Sequence, residues 1–258
     1  MWTWVEGSDQ PDQDGTYGTL GVADAENVIG ARERGMAFIG KDKKFWLFGG
    51  RRSGSIAYND LWEITYIPGV PFIQGVTDIE QYAFTLAYDE PWGTDFRIQV
   101  DVSSDFSSPV QDLTGVTGDT VEIASLQPGT MYYYRVRAAS PFGESAYSDA
   151  GEVLTLPETP EFGSEVLTGL TQTSVTVNWE PTPEILNGYY LEVSTDSLFK
   201  NEKKFLPGYS EKAVDKQAVS DTIDNLAPGT RYYFRMRSYN DTGASAYSEV
   251  IEILTRPA

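Results

Sequence analysis

The feature that most limits the fold of this chain is a long internal repeat. The stretch LQPGTMYYYRVRAASPFGESAYSDAGEVLTLP, residues Leu126 to Pro157, returns as LAPGTRYYFRMRSYNDTGASAYSEVIEILTRP, residues Leu226 to Pro257. More than half of the aligned positions are identical. Because a repeat of this length indicates two copies of one structural unit, we expect two similar domains in tandem.

Each copy alternates apolar and polar residues after a Pro-Gly turn. A period of two is typical of a β-strand with one buried face and one solvated face. The residues predicted to face the core are Tyr132, Tyr134, Val136 and Ala138 in the first copy and Tyr232, Phe234 and Met236 in the second. The solvated face carries Arg135, Arg137, Arg235 and Arg237. For these arginines we expect cross-strand pairs with acidic residues; the alternative is a docking stripe for an acidic ligand.

The Leu-x-Pro-Gly-Thr-x-Tyr motif at Leu126 and Leu226 resembles the corner between strands E and F of fibronectin type III domains. The resemblance implies that Tyr132 and Tyr232 are tyrosine-corner residues, whose hydroxyls bond to nearby backbone. It covers about residues 69 to 258 and implies two immunoglobulin-like β-sandwiches. Upstream alternations agree with it: Phe84, Leu86 and Tyr88, then Phe96, Ile98, Val100 and Val102 in the first copy; Val175, Val177 and Trp179, then Tyr189, Leu191 and Val193 in the second.

By the same resemblance, Trp179 is the core tryptophan of the family, and Tyr88 replaces it in the first copy. Tyr147 and Tyr247, in the shared Ser-Ala-Tyr-Ser segment, are expected to pack in the two cores. The loop before them carries Arg-Gly-Asp in some family members, but this tripeptide occurs nowhere in the chain. Integrin binding through that tripeptide is therefore not expected.

Residues 1 to 67 do not belong to the repeat, and they contain four short β-like segments separated by glycine and charge. The Trp2-x-Trp4 segment, the Gly49-Gly50 pair and Asn59-Asp60-Leu61-Trp62 resemble a bacterial kelch repeat, which is one four-stranded blade of a β-propeller. The overall expectation is an all-β chain with three domains: a kelch-like blade (1–67) and two fibronectin type III sandwiches (68–157 and 158–258). Short proline-containing connectors at 67–71 and 156–160 predict semi-rigid linkers.

A single blade cannot cover both of its own faces, because each propeller blade packs against two neighbours. We expect its aromatic residues to need a partner, and we take them as assembly candidates: Trp2, Trp4, Phe45, Trp46, Phe48 and Trp62. Three explanations stay open. The chain is a piece of a longer propeller protein, which we favour; the blade pairs with another chain, which comes second; or it packs on the first sandwich.

Composition excludes several functions. The chain has 19 Lys and Arg against 38 Asp and Glu, a net charge of −19, which argues against nucleic acids and anionic membranes. It has no histidine and no cysteine, so Ser-His-Asp and Cys-His catalysis and soft-metal sites are excluded. No apolar run reaches the ~20 residues of a membrane helix, and no signal-peptide pattern is visible at Met1. We therefore expect no enzyme, no membrane insertion and no cofactor.

Three weaker ligand signals remain. Asp9, Asp12 and Asp14 before Gly15 suggest calcium, although the spacing is not that of an EF-hand and a glycine-rich turn explains it better. Trp92 lies in a predicted loop, where an indole could stack on a sugar or a protein; folding over the sandwich end is the alternative. Asn240-Asp241-Thr242 is a glycosylation sequon that matters only in a eukaryotic secretory host.

Together these patterns predict a non-catalytic structural or adhesion protein of the cell surface or extracellular space. The sandwiches would be spacers and interaction modules, and the blade would assemble with other protein chains, principally copies of itself, into an oligomer or filament. The alternative is the C-terminal part of a larger secreted, kelch-propeller protein that acts on or binds glycans.

Overall fold

The computed structural model describes residues 12–22, 24, 26–41, 44–52, 56–64, 68–89, 95–140, 143–182 and 187–258. The chain divides into two compact units, Met1–Ile67 and Pro68–Ala258. The described residues of both units are almost entirely strands and turns, with one short 3-10 turn at Glu202–Lys204. The all-β prediction is therefore confirmed.

In the first unit, the described residues form one three-stranded antiparallel sheet. Its strands are β1 (Met36–Ile39), β2 (Phe45–Phe48) and β3 (Leu61–Ile64), in the spatial order β1-β2-β3. Short apolar runs bounded by glycine and charged residues form these strands. The predicted strand at Trp2 and Trp4 lies outside the described residues.

The first half of the second unit is a sandwich of two antiparallel sheets. One sheet has the order β4 (Phe72–Thr77), β5 (Phe84–Asp89) and β8 (Thr120–Ile123). The other joins β10 (Gly143–Glu144), β9 (Met131–Ser140), β6 (Asp95–Asp101) and β7 (Gln111–Val116), and β11 (Gly151–Leu154) also pairs with β9. The name sandwich 1 is used below for this first half of the second unit.

The second half repeats the arrangement and is called sandwich 2. One sheet has the order β12 (Phe162–Thr168), β13 (Val175–Trp179) and β16 (Ser220–Ile223). The other has the order β15 (Lys212–Asp215), β14 (Gly188–Ser194), β17 (Arg231–Tyr239) and β18 (Ile251–Leu254). Equivalent strands of the two sandwiches therefore carry the repeated sequence.

The alternation in β9 and β17 places one face of each strand in a core. Tyr132, Tyr134, Val136 and Ala138 are at most 4% exposed, and Tyr232, Phe234 and Met236 at most 5%. Each core also receives the predicted residues of the facing sheet, with Tyr88 and Trp179 at equivalent positions. The inward pattern read from the sequence is thus the pattern of the folded strands.

Strand β6 departs from its prediction at its end. The sequence pattern predicts Val102 as an inward residue, but β6 ends at Asp101 and Val102 is 53% exposed. Asp101 is buried instead, and its carboxylate accepts hydrogen bonds from the backbone N–H groups of Val102, Ser103 and Ser108. The prediction for Val102 is wrong because a side chain that satisfies turn N–H groups ends the strand.

Candidate functional site

The sheet of strands β1, β2 and β3, here called the apolar sheet, presents apolar side chains on both faces. Residues directly opposite each other in an antiparallel pair point to the same face. The pairs Met36–Phe48, Phe38–Trp46 and Phe48–Leu61 therefore define one face, and Ile39–Phe45, Leu47–Trp62 and Phe45–Ile64 define the other. Glu63, opposite Trp46, is the charged residue among these twelve strand positions.

Much of this apolar surface is open to solvent. The exposed fractions of the large side chains are Met36 65%, Phe38 44%, Ile39 72%, Phe45 42%, Phe48 48% and Leu61 54%. The four residues of β1 are all exposed, whereas Trp46, Leu47, Trp62 and Ile64 are half-buried. Exposed apolar residues are usually scattered singly over a protein surface. A cluster of them on one small sheet is therefore typical of an interaction surface.

A polar cluster anchors one end of the apolar sheet. The Arg32 guanidinium binds the Asp60 carboxylate with two hydrogen bonds of 2.7 and 2.9 Å. Trp62 Nε1 and the Tyr17 hydroxyl also donate to Asp60 Oδ2, at 2.7 and 2.8 Å. The Arg32 hydrogen bond is the main reason that the pKa of the Asp60 carboxyl lies well below its usual range. These contacts fix the start of β3, and with it the position of Trp62.

The Gly49-Gly50 pair fastens the end of β2. Both residues have positive φ, 58° and 103°, a conformation that side chains disfavour. A Cβ on Gly50 would lie 3.0 Å from the Glu33 carbonyl oxygen and 3.1 Å from Gly35 N. Arg32 Nη1 donates to the Gly49 carbonyl at 3.1 Å. The segment before β1 and the end of β2 are thus held together at the anchored end of the sheet.

The structure brings four predicted assembly residues together on the apolar sheet. Phe45 and Trp62 lie on one face, and Trp46 and Phe48 on the other. Sequence reasoning did not name Met36, Phe38, Ile39 and Leu61 as assembly residues, although their apolar runs were visible. The predicted candidates Trp2, Trp4 and Trp92 lie outside the described residues.

The arginines of the sandwiches are largely occupied within their own domains. Arg135 donates to Gln99 Oε1 at 2.6 and 2.9 Å, and Arg235 pairs with Glu192 at 2.6 Å. Arg137 pairs with Glu144 at 2.6 Å, and Arg237 pairs with Glu211. The predicted acidic partners are present for Arg137, Arg235 and Arg237, which favours pairing over a docking stripe. For Arg135 the prediction is wrong, because the residue opposite it is the amide Gln99.

Tyr147 and Tyr247 stack on these arginines. The Arg135 guanidinium carbon lies 4.2 Å from the centre of the Tyr147 ring, and that of Arg235 lies 3.6 Å from the Tyr247 ring. Both tyrosines are half-buried on the arginine face. The prediction that they pack in the cores is wrong, because flat guanidinium groups on the outer face cover the rings.

The two predicted tyrosine corners have matching geometry. The Tyr132 hydroxyl accepts a hydrogen bond from Gln127 N at 2.9 Å, and the Tyr232 hydroxyl accepts one from Ala227 N at 3.0 Å. Both rings are buried. Each contact ties the turn before the strand to the strand itself, so these residues have a structural place in the fold.

The metal interpretation of the aspartates before Gly15 gains no support from the described residues. Asp14 pairs with Arg52, and Asp9 lies outside the part of the chain that the structure describes. Among the described residues, no group of three or more acidic side chains is placed to hold a metal ion. Within the same residues, no helix is long and apolar enough to cross a membrane.

These features define a tandem β-sandwich protein with an additional apolar sheet. Residues 159–254 match the model of the fibronectin type III domain. This segment is sandwich 2 almost in full. Sandwich 1 repeats its strand order and its corner motif.

Curated relatives match the chain at moderate identity. The chain is 30% identical over 152 residues to "Cell adhesion molecule-related/down-regulated by oncogenes" of Xenopus laevis. This alignment covers 53% of this chain and 12% of that protein. It is 32% identical over 151 residues to "Fibronectin type-III domain-containing protein 3A" of Pongo abelii, covering 54% and 12%. The match to "Protein sidekick-2" of Gallus gallus is 25% identical over 214 residues, covering 78% and 9%. The chain thus spans about a tenth of the length of these relatives.

Solved structures with two or more such domains are also similar. A two-domain fibronectin type III segment of chicken tenascin aligns over 73% of this chain and 99% of its own, with 16% identity and a TM-score of 0.44. The FN1–FN3 domains of chicken CNTN1 align over 83% and 77%, with 18% identity and a TM-score of 0.35.

Proposed function

We propose that this chain is a non-catalytic adhesion or interaction protein of the cell surface or extracellular space. The two sandwiches act as spacers and interaction modules, and the apolar sheet, as part of a kelch-like blade, is the assembly element. The observation that carries the proposal is the exposure of apolar side chains on both faces of the apolar sheet. One relative is named as related to a cell adhesion molecule, which supports the adhesion class.

The occupant that we propose for the apolar sheet is the same sheet of a second copy. Charge favours this pairing, because residues 1–67 carry ten acidic and seven basic side chains and are nearly neutral. Residues 68–258 carry 28 acidic and 12 basic side chains, so sandwiches of two copies repel each other at low salt. Two faces per sheet allow each copy to bind one neighbour on either side, which leads to an oligomer or an open filament.

Sedimentation velocity over a wide concentration range tests the assembly. We expect the weight-average sedimentation coefficient of the full chain to rise with concentration. Phe38→Glu changes one face and Ile39→Glu changes the other, and each places a charge where the proposal buries a side chain. We expect each single variant to limit assembly to small species and the double variant to remain a monomer.

A matched control lies in sandwich 1. Phe72 is 72% exposed, as is Ile39, but it lies outside the apolar sheet. Phe72→Glu should leave the concentration dependence unchanged. A wild-type chain that stays monomeric at the highest concentration would overturn self-assembly. Loss of assembly in Phe72→Glu equal to that in Ile39→Glu would show non-specific aggregation instead.

A further inference from the structure

The connection between the two sandwiches is held by hydrogen bonds from three side chains of sandwich 2. Asn240 Nδ2 donates to the Thr155 carbonyl oxygen at 2.8 Å, and the contact is buried. Thr242 Oγ1 donates to the Leu154 carbonyl oxygen at 2.8 Å. The Ser238 hydroxyl donates to the Glu158 carbonyl oxygen. Sandwich 2 therefore binds the last residue of β11, Leu154, and the backbone of the connection that follows it.

Sandwich 1 binds the same connection from the other side. Gln81 Nε2 donates to the Pro157 carbonyl oxygen at 2.9 Å and to Thr159 Oγ1 at 3.1 Å. The backbone N–H of Leu156 donates to the Glu80 carbonyl oxygen at 3.1 Å. Residues 154–159 are thus fixed to both sandwiches at once, and Pro157 within them is buried.

Asn240 uses both ends of its amide in this arrangement. Its Oδ1 accepts from the backbone N–H groups of Thr242 and Gly243, at 3.0 and 3.2 Å. Its Nδ2 binds Thr155, and the residue is 6% exposed. The sequon predicted from the sequence is therefore part of the connection, and the folded chain does not present the Nδ2 atom for modification. A buried amide with these hydrogen bonds also fixes one relative position of the groups that it joins.

The side chains that make these contacts differ between the two copies of the repeat. Ser238 stands where the first copy has Ala138, and Asn240 where it has Ser140. Thr242 stands where the first copy has Phe142. The neighbouring positions of the corner and of the Ser-Ala-Tyr-Ser segment are the same in both copies. The three side chains of sandwich 2 that bind the connection are therefore among the positions at which the two copies differ.

We propose that Ser238, Asn240, Thr242 and Gln81 form an interdomain clasp that holds the two sandwiches as one rigid body. Short proline-containing connectors limit motion but leave rotation free at several backbone bonds, whereas the clasp fixes the connection itself. The inference goes beyond the assembly proposed above, because it concerns residues 68–258 and holds for a monomer. In a spacer, a fixed angle sets the direction of whatever follows or precedes it.

Double electron–electron resonance on the full chain measures the clasp directly. The chain has no cysteine, so Thr120→Cys in sandwich 1 and Lys216→Cys in sandwich 2, both at exposed positions, give two unique label sites. We expect one narrow distance distribution between the labels. In the Ser238→Ala/Asn240→Ser variant, which carries the residues of the first copy, we expect the distribution to widen about twofold or more, since mobile domains are the default without a large interface.

Two further variants make the result decisive. Asn178→Ser removes contacts from the Asn178 amide to Glu165 O and Thr168 Oγ1 inside sandwich 2, and should leave the distribution narrow. Gln81→Ala weakens the clasp from the side of sandwich 1 and should widen the distance distribution.

Hydrogen exchange of the β-strands checks that both sandwiches remain folded in each variant. If the double variant fails this check, Gln81→Ala alone tests the clasp. A broad distribution in the unmutated chain, or an equally narrow one in the folded clasp variants, would overturn the proposal. Dilute samples keep this result independent of assembly.

Discussion

The two sandwiches fill the same core position with different rings. Sandwich 1 has Tyr88 on β5, packed edge-on against Phe96 with ring centres 4.7 Å apart. Sandwich 2 has Trp179 on β13, packed edge-on against Tyr189 at 5.8 Å. Among the described residues, neither the Tyr88 hydroxyl nor Trp179 Nε1 has a hydrogen-bond partner. The fold therefore accepts either ring at this position, and the packing of the ring matters more than its polar atom.

A second difference lies on the arginine faces. The Glu192 side chain of sandwich 2 is 5% exposed and pairs with Arg235, and Gln99 takes the equivalent place opposite Arg135 in sandwich 1. Sandwich 1 also has the ion pair Arg97–Asp112. At the position of Arg97, sandwich 2 has Tyr190, stacked on Tyr239 with ring centres 4.2 Å apart. The charges of the two domains are thus distributed differently on one common scaffold.

The largest effect is expected from removing the core rings. Trp179→Ala and Tyr88→Ala should each lower the free energy of unfolding of their own sandwich by about 3–5 kcal/mol. Hydrogen-exchange mass spectrometry in denaturant resolves the two sandwiches and shows which one is destabilised. Equal destabilisation of both sandwiches by either variant would contradict their separate cores.

The second-largest effect is expected when the buried acid opposite Arg235 in sandwich 2 is replaced by the amide that sandwich 1 has at the equivalent position. Glu192→Gln should destabilise sandwich 2 by about 1–2 kcal/mol, because Arg235 loses a buried charged partner. Gln99→Asn in sandwich 1 is the matched control, because it disturbs the hydrogen bonds of Arg135 without removing a charge. Because the Glu192 side chain is 5% exposed, salt screens this pair little, and the destabilisation by Glu192→Gln should persist in denaturation curves at high salt. A destabilisation no larger than that caused by Gln99→Asn would contradict a role for the charge of Glu192.

Tyr88→Phe should have a small effect at neutral pH, since the hydroxyl that it removes has no partner in the described structure. Its effect should appear in alkali. Burial, with a smaller contribution from the charge of Asp119, raises the pKa of Tyr88 to about 12, above its ordinary value of 10.0. The stability due to the neutral hydroxyl is full below about pH 10 and is lost as the pH rises towards 12. Denaturation curves between pH 9 and 12 should therefore fall less steeply for Tyr88→Phe than for the unmutated chain.

The smallest effect concerns acid. The hydrogen bond from Arg97 lowers the pKa of Asp112 to about 2, below its ordinary value of 3.8. This carboxylate contributes stability above about pH 4, and the contribution is lost as the pH falls towards 2. We expect Asp112→Asn to flatten the acid dependence of sandwich 1 slightly, because the pair is one-third exposed. Sandwich 2, which has an aromatic stack at the position of Arg97, should not change.

Much of the sandwich fold could be predicted from local sequence. The repeat from Leu126 and Leu226 indicated two copies, and the alternation in each copy identified the buried face, because a pleated strand turns successive side chains to opposite sides. The apolar runs of β1 and β2 were likewise visible in the chain. The exposure of Phe45 and Phe48 agrees with the argument that a single small sheet cannot cover both of its own faces.

Only the tertiary structure decided which residues meet across the chain. Asn240 reaches the carbonyl of Thr155, 85 residues away, and no period or motif links the two positions. The stacking of Tyr147 on Arg135 and the end of β6 at Asp101 were also outside the reach of the pattern, because each depends on side-chain hydrogen bonds and ring contacts between separate segments. Sequence alone determined the strands and their inward faces, since those arise from neighbours along the chain. The clasp and the arginine faces arise from distant residues, and the folded chain alone brings those together.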